Sequence, residues 1–389
     1  MRQTFALLVD AYRELNHRRL FWITLVLSGL VVIAFAAIGN DEEGLTILHW
    51  SIPFPFVSTN FIPRADFYKF VFANLGVGFW LSWIATIIAL ISTASILPDF
   101  VDRGSIDLML SKPIGRTRLF LTKFVTGLLF AAMQVTVFTV ASFLVIGVRG
   151  GDWEPWLFVA IPLVIIFFSY LFAVQAVVGM MTRSVIASII AVMLFWLTLF
   201  LVQSGDGITL AWRVTQEIIV ERKEARIVKL EDRAFEAEEI RAEMRDAAEL
   251  GDPDAEERLA DATNEADLAA ARLIAVQEEL VEDRDVLEKA VFVNGWLHTL
   301  NTVLPKTGET IDILERLLRE RAGLVIPGPD EDDDTRRQFG EMVGGREFEE
   351  RMTAALDESH SFQWVLGTSL AFEALVLGIG AVWFSRRDF

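Results

Sequence analysis

The sequence contains no cysteine, and its four histidines are scattered along the chain. Without cysteine there is no disulfide framework and no thiol chemistry. His17, His49, His298 and His360 show none of the spacings with which proteins bind metal ions, so no metal site is predicted. The motifs GxxxxGK[ST], HExxH and GxSxG do not occur in the sequence either. We therefore predict no catalytic residue and no enzyme activity, and any ATP hydrolysis would belong to another polypeptide.

The sequence does contain several long apolar runs. Of its 389 residues, 53% are hydrophobic, which is too apolar for a water-soluble protein of this length. A helix needs roughly 18 to 20 apolar residues to cross a bilayer. By this criterion we place spans 1 to 6 at about residues 20–38, 70–91, 124–148, 156–180, 185–203 and 363–384.

Residues 1–19 precede the first span and show apolar spacings of three and four. This pattern predicts an amphipathic helix lying along the membrane surface, and the alternative is a tail with chance periodicity. Basic residues followed by a run of full spanning length, with no small-residue cleavage site, indicate a signal anchor. The apolar positions are Phe5, Leu8, Val9, Tyr12 and Leu15.

Basic residues near the span ends predict the orientation, because cytoplasmic loops carry an excess of Lys and Arg. One side collects twelve of them: Arg2, Arg13, Arg18, Arg19, Arg103, Lys112, Arg116, Arg118, Lys123, Arg183, Arg386 and Arg387. The short loops of the other side hold only Arg64, Lys69 and Arg149. We expect both termini in the cytosol and, by span parity, the segment between spans 5 and 6 outside.

That segment is strongly acidic. Residues 204–362 hold 40 of the 53 acidic residues and 20 of the 35 basic ones, a net charge of −20. Their negative charge disfavours nucleic acid and leaves protein or cation partners. A run of acids at 330–334 suggests calcium, but it lacks the ligand spacing of a calcium loop, so a solvated loop is the preferred interpretation.

Two heptad seams lie on either side of a Gly-Asp-Pro turn at residues 251–253. They predict an antiparallel helical hairpin over about residues 215–290. Two charged helices packed on the membrane body are the alternative. The first seam is Ile227, Leu230, Ala234, Ala237, Arg241, Met244 and Ala248. The second is Leu259, Ala262, Ala266, Ala269, Leu273, Val276, Leu280, Asp283 and Leu287. Arg241 and Asp283 interrupt the seams and would face each other or solvent.

Glu373 stands near the middle of span 6. A carboxylate at the bilayer centre costs about 2.5 to 3.5 kcal/mol on insertion scales, so it should face protein or water. Its candidate partners are Gln134, Gln175, Ser169 and Tyr170. In a functional interpretation Glu373 would line a cavity or make a gating contact. In the alternative it would be a protonated or hydrogen-bonded packing group.

The stretch at residues 98–123 is the densest polar segment in the first half of the chain. A helix that leaves the membrane, turns at Gly104 and Pro113 and re-enters would present a short amphipathic surface in the cytosol. Acidic residues followed by G-[ST]-[IL]-[DE]-x-x-L-S-K-P-[IV]-x-R resemble the coupling loop of type 2 ABC transporter permeases. That family usually has Glu where Asp99 and Asp102 stand.

The resemblance implies an all-α polytopic membrane protein of the type V exporter fold, with six transmembrane helices and a large helical extracytoplasmic insertion between helices 5 and 6. Its parts would be an elbow helix (1–19), helices 1–5 with the coupling loop (20–203, loop 98–123), the insertion (204–362), and helix 6 with a cytosolic tail (363–389). Separate ABC ATPase subunits, binding ATP and Mg, would dock on the loop. The residues that would carry this coupling are Asp99, Asp102, Arg103, Gly104, Asp107, Lys112, Pro113 and Arg116.

Three functions follow as hypotheses. In the first, two copies or one copy with a similar permease work with two ATPases and export a substrate across a prokaryotic inner or plasma membrane. In the second, the chain passes ATP-driven motion through the hairpin to an extracytoplasmic protein, and nothing crosses. In the third, it is a scaffold without an ATPase, which leaves the loop unexplained. Lipid surrounds the spans in each case.

Overall fold

The computed structural model describes residues 19–53, 57–60, 62–101, 115–250, 254–324, 345–359 and 361–387. Its α-helices are α1 (Arg19–Ala37), α2 (Arg64–Val71), α3 (Thr86–Thr93), α4 (Ile96–Val101), α5 (Arg116–Val145), α6 (Ala160–Thr182), α7 (Val185–Glu249), α8 (Ala255–Val303), α9 (Thr307–Arg321), α10 (Gly345–Ser359) and α11 (Phe362–Arg386). Two π-helical segments, Phe72–Ala85 and Ile146–Gly150, and a 3₁₀ helix, Pro155–Val159, join some of them.

Five helical stretches of the described chain are long and apolar enough to cross a membrane: Arg64–Val101, Arg116–Gly150, Pro155–Thr182, Val185–Glu249 and Phe362–Arg386. The predicted spans 2 to 6 fall on these five stretches. The apolar part of α1, Phe21–Ala37, is shorter. The architecture is therefore that of a predominantly helical membrane protein.

The stretch that contains predicted span 2 begins earlier than expected, at Arg64 instead of about residue 70. Lys69, predicted to lie in a loop, is almost completely buried inside α2. Its ammonium group lies 2.6 Å from the Asp152 carboxylate and 3.7 Å from that of Asp66, and donates to the Ala322 carbonyl oxygen. Asp152 and Ala322 come from distant parts of the sequence, and together with Asp66 they compensate the charge, so the helix can include it.

The same stretch contains a π-helical segment, Phe72–Ala85. A π-helix widens the turn, so carbonyl groups find partners one residue further along than in an α-helix. The Ser82 hydroxyl accordingly donates to the Val77 carbonyl oxygen at 2.7 Å, and that of Thr86 to Leu81 at 2.8 Å. The periodicity of the sequence did not predict this segment.

A small antiparallel sheet follows α1, between predicted spans 1 and 2. Its strands are β1 (Ile38–Asn40), β2 (Gly44–Ile47) and β3 (Trp50–Pro53), in the order β1-β2-β3. The Asp41 carboxylate accepts from the backbone N–H groups of Glu43 and Gly44, which closes the first turn. Trp50 is 81% exposed on the outer strand.

The chain divides into two compact units, and the first comprises Met1–Gln203, Asn301–Asp333 and His360–Phe389. Within it, α6 contacts α4, α5, α9 and α11. Two glycines allow this close packing. A Cβ atom at Gly127 would lie 2.2 Å from the Phe172 ring, and one at Gly380 would lie 2.7 Å from Val177. α9 buries Ile311, Leu314 and Leu318.

The second unit comprises Ser204–Leu300 and Asp334–Ser359. Its helices α7 and α8 run antiparallel, as shown by the pairs Lys223–Asp283 (2.6 Å) and Arg241–Asp267 (3.5 Å). All sixteen predicted seam residues are buried or half-buried. Arg241 and Asp283 do not face each other, because each finds an opposite charge on the other helix. The predicted turn at 251–253 lies outside the described residues.

The hairpin is longer than predicted at its open end. α7 begins at Val185 and α8 ends at Val303, so neither helix breaks where the predicted hairpin starts and stops. In the same unit, α10 packs Phe348 and Met352 on Leu210 and Val214 of α7. Salt bridges of Arg222 to Glu347 (2.6 Å) and of Arg351 to Glu221 (2.5 Å) fix it there.

Candidate functional site

Two groups of residues were predicted to carry function, and the first is the loop at residues 98–123. Of its eight named residues, only Asp99 and Arg116 belong to the described chain. Asp102, Arg103, Gly104, Asp107, Lys112 and Pro113 lie outside the described residues. The structure therefore reports on the two ends of the loop.

The Arg116 guanidinium group contacts the C-terminal tail. It is the first residue of α5, and its Nη1 donates to the carbonyl oxygens of Arg387 at 2.7 Å and Ser385 at 3.4 Å. The Arg387 guanidinium lies over the Trp383 ring at 4.4 Å. Asp99 is exposed on α4. The start of α5 is thus tied to the end of α11.

Aromatic rings join the other end of the loop to the same place. Phe100, near the end of α4, lies 5.8 Å from Phe384 of α11, and Phe120 of α5 lies 6.4 Å from Phe384. The Lys123 ammonium group lies 6.0 Å from the centroid of the Phe100 ring. The described residues on both sides of 102–114 therefore contact the last two turns of α11.

The second predicted group lies around Glu373, which is 8% exposed. The Ser169 hydroxyl of α6 lies 2.8 Å from a Glu373 carboxyl oxygen and 2.8 Å from the Ile166 carbonyl oxygen. A hydroxyl has one proton and cannot donate to both. Both contacts are satisfied together when the carboxyl group is protonated and donates to Ser169. The arrangement can therefore hold one proton.

One turn before Glu373, the Ser369 hydroxyl accepts a hydrogen bond from the backbone N–H of Lys306 at 2.9 Å. Lys306 is fully buried, although the sequence analysis did not single it out. Its ammonium group donates to the Thr302 carbonyl oxygen and the Thr368 hydroxyl at 2.6 and 2.7 Å, and lies 4.4 Å from the Trp364 ring centroid. The signal in the sequence that could have identified Lys306 is its position between two apolar segments.

Tyr170 completes this group, and its ring and hydroxyl are fully buried. The Thr310 and Ser369 hydroxyls lie beside its hydroxyl, with Glu373 nearby, yet the phenol makes no hydrogen bond of good geometry within the described chain. We call Ser169, Tyr170, Lys306, Thr310, Ser369 and Glu373 the polar cluster. It joins α6, α9 and α11 and brings together residues far apart in the sequence.

Gln134 and Gln175 do not belong to the polar cluster. The Gln134 side-chain amide donates to the Phe21 carbonyl oxygen at 3.0 Å, and that of Gln175 donates to the Leu90 carbonyl oxygen at 2.9 Å. Each amide thus links two helices through a backbone group instead of meeting Glu373. Among the described residues, no group of three or more His, Asp or Glu is arranged to hold a metal ion.

Residues 25–204 match the family described as a protein of unknown function (DUF2705). The match ends at the boundary between the two units, so it covers the part of the chain before the long hairpin. No curated protein and no solved structure matches the chain.

Proposed function

We propose that the chain is the membrane subunit of an ATP-driven transporter of the type 2 ABC permease kind, which exports a substrate using a separate ATPase. The observation that carries the proposal is the anchoring of both ends of the loop at 98–123 on one helix end, through Arg116 and Phe100. A loop that transmits the conformational change of an ATPase needs such a rigid connection to the membrane helices.

The directions of the helices support six crossings. α5 and α6 run antiparallel, since Phe124 meets Phe172 and Phe143 meets Phe158. α6 and α11 run parallel, since Ser169 meets Glu373 and Val177 meets Gly380.

α1 fits the same alternation. It is antiparallel to the Arg64–Val101 stretch, because Ser28 meets Trp80 and Phe35 meets Tyr68. These directions agree with α1 as the first of six alternating spans. The loop and the end of α11 would then lie together in the cytosol.

The test is purification of the full chain from its native membranes in a mild detergent, with and without Arg103→Glu. We expect a nucleotide-binding subunit and vanadate-sensitive ATP hydrolysis to accompany the native chain, and Arg103→Glu to reduce both. Arg64→Glu is the matched control, because Arg64 is an exposed arginine at the other end of the second span. An ATPase retained equally by both variants, or no ATPase with the native chain, contradicts the proposal.

The long helical pair favours a second candidate, in which motion passes to an extracytoplasmic partner. Its many exposed charges and thin seam suit a docking arm better than a catalytic domain. The two candidates share the ATPase and differ in what the arm does.

A further inference from the structure

The polarity of the helical pair reverses along its length. We define the base as residues 204–212 of α7 and 290–300 of α8. In the distal part, apolar side chains such as Leu230, Ala237 and Val276 lie between the helices, and charged side chains face outward. That is the arrangement of a pair surrounded by water.

The base has polar groups on the inside. Asp206 and Asn294 are 3% and 4% exposed, and the Asn294 amide donates to the Asp206 carboxylate at 3.3 Å and to the Thr209 hydroxyl at 3.3 Å. The His298 Nδ1 lies 3.4 Å from the other Asp206 oxygen. Asp206 is the single charged residue between Arg183 and Arg213 in the sequence, and it is enclosed.

The outer face of the base is apolar and large. Ile208 is 69% exposed, Phe292 66%, Trp296 61% and Leu300 43%. Residues 290–300 contain no Asp, Glu, Lys or Arg, whereas Glu288 and Lys289 come immediately before them. Polar groups turned inward and apolar groups turned outward are what a low-dielectric environment favours.

We infer that the base of the helical pair is inserted in the lipid bilayer, and that water begins near Trp212 and Lys289. The part of α7 from Val185 to Trp212 has the enclosed Asp206 as its one charged residue and measures about 42 Å at 1.5 Å per residue, which exceeds the roughly 30 Å hydrocarbon core. The excess continues into the base and ends at a Trp, the residue that concentrates at membrane interfaces.

Lipid fits this surface better than a protein partner does. In the sequence of α7, the base follows directly on the apolar run of predicted span 5. Exposed apolar residues of the distal part, such as Ile274 and Val281, instead stand singly among charges. The inference concerns depth in the bilayer, and it holds whichever side of the membrane the pair occupies.

The absence of cysteine makes the test direct, because single cysteines can be introduced without removing any. Phe292→Cys and Trp296→Cys report on the base, and Ile274→Cys and Val281→Cys are controls on the same helix. Each full-length variant is spin-labelled and reconstituted in phosphatidylcholine–phosphatidylglycerol vesicles. Collision rates are then measured with oxygen, which partitions into lipid, and with a nickel chelate, which stays in water.

We expect oxygen collisions to exceed nickel-chelate collisions several-fold at 292 and 296, and the reverse at 274 and 281. Frequent nickel-chelate collisions at 292 and 296 would overturn the inference by placing the base in water. Low rates with both reagents at these positions would overturn it in favour of a protein partner. Labelling of Val281→Cys by a membrane-impermeant maleimide reports separately on which side the pair lies, and hence on the proposed topology.

Discussion

At the scale of single residues, the buried polar groups show how far sequence reasoning reaches. Glu373 is recognisable because a carboxylate in a 20-residue apolar run is costly. Its partner was not recognisable, since Ser169, Gln134 and Gln175 are equally plausible in the sequence. Only the packing of α11 on α6 selects Ser169 and leaves the two glutamines to link other helices.

The hydrogen bonding of Ser169 leads to a prediction for Glu373. Because a protonated carboxyl group satisfies Ser169 and Ile166 together, Glu373→Gln should keep the hydrogen bond through its amide donors. We expect its thermal unfolding midpoint to stay within a few degrees of the native one. Glu373→Lys places an uncompensated cation in the same site and should lower the midpoint clearly.

Both midpoints can be measured in detergent by the fluorescence of the native tryptophans. A loss of stability in Glu373→Gln as large as that in Glu373→Lys would show that the carboxylate must be ionised, against this account. Transport or ATP hydrolysis that changes in Glu373→Gln at unchanged stability would assign the proton a part in the functional cycle.

At the scale of elements, helices with a regular apolar period could be predicted from the sequence, whereas short or irregular elements could not. Spacings of three and four predicted the seam residues of α7 and α8, and these residues are buried or half-buried in the structure. The three-stranded sheet was missed because each strand has only three or four residues. The π-helical segment was missed because its residues have the composition of an ordinary apolar span.

The attachment of α10 predicts a dependence on pH. Hydrogen bonds from Arg222 and Arg351 hold the pKa values of Glu347 and Glu221 below their usual range. Groups with depressed pKa values stabilise the folded state above their unfolded pKa, near 4.5, and lose that contribution as the pH falls through the folded value. α10 should therefore be attached at neutral pH and loosen in acid.

Hydrogen exchange of residues 345–359, corrected for the intrinsic exchange rate at each pH, measures this attachment. We expect protection in the native chain to fall as the pH is lowered below about 4.5. Glu347→Gln should already show reduced protection at pH 7, and Glu349→Gln, an exposed carboxylate on the same helix, should not. Equal protection in both variants would mean that Phe348 and Met352 alone hold the helix.

At the scale of the whole molecule, composition separated an apolar body from an acidic insertion at residues 204–362. The structure divides the chain close to both ends of that insertion, but it assigns residues 301–333 to the first unit. Charge and hydropathy report this division because they sum over many side chains. The polar cluster could not be found in that way. It depends on Lys306 and Thr310 meeting Ser369 and Tyr170, and such contacts across elements leave no local pattern in a single sequence.

The last prediction uses the cross-pairs of the helical pair to remove its distal part cleanly. Deleting residues 226–281 and joining the ends with a short glycine-serine linker keeps Lys223 with Asp283, Glu224 with Arg284, and the contacts of α10. The helices are already adjacent at these pairs, so the linker need not strain them. The distal part has a narrow, alanine-rich seam and should contribute little to the stability of the rest.

We expect the shortened chain to insert in the membrane, to unfold at the native temperature and to retain ATP hydrolysis by its partner subunit. If substrate passes through the spans, export should also survive. Loss of function with intact ATP hydrolysis would favour transmission of motion to an extracytoplasmic partner, because only the arm has been removed. Failure to insert or to bind the ATPase would contradict this prediction, because it would show that the rest of the chain depends on the distal part.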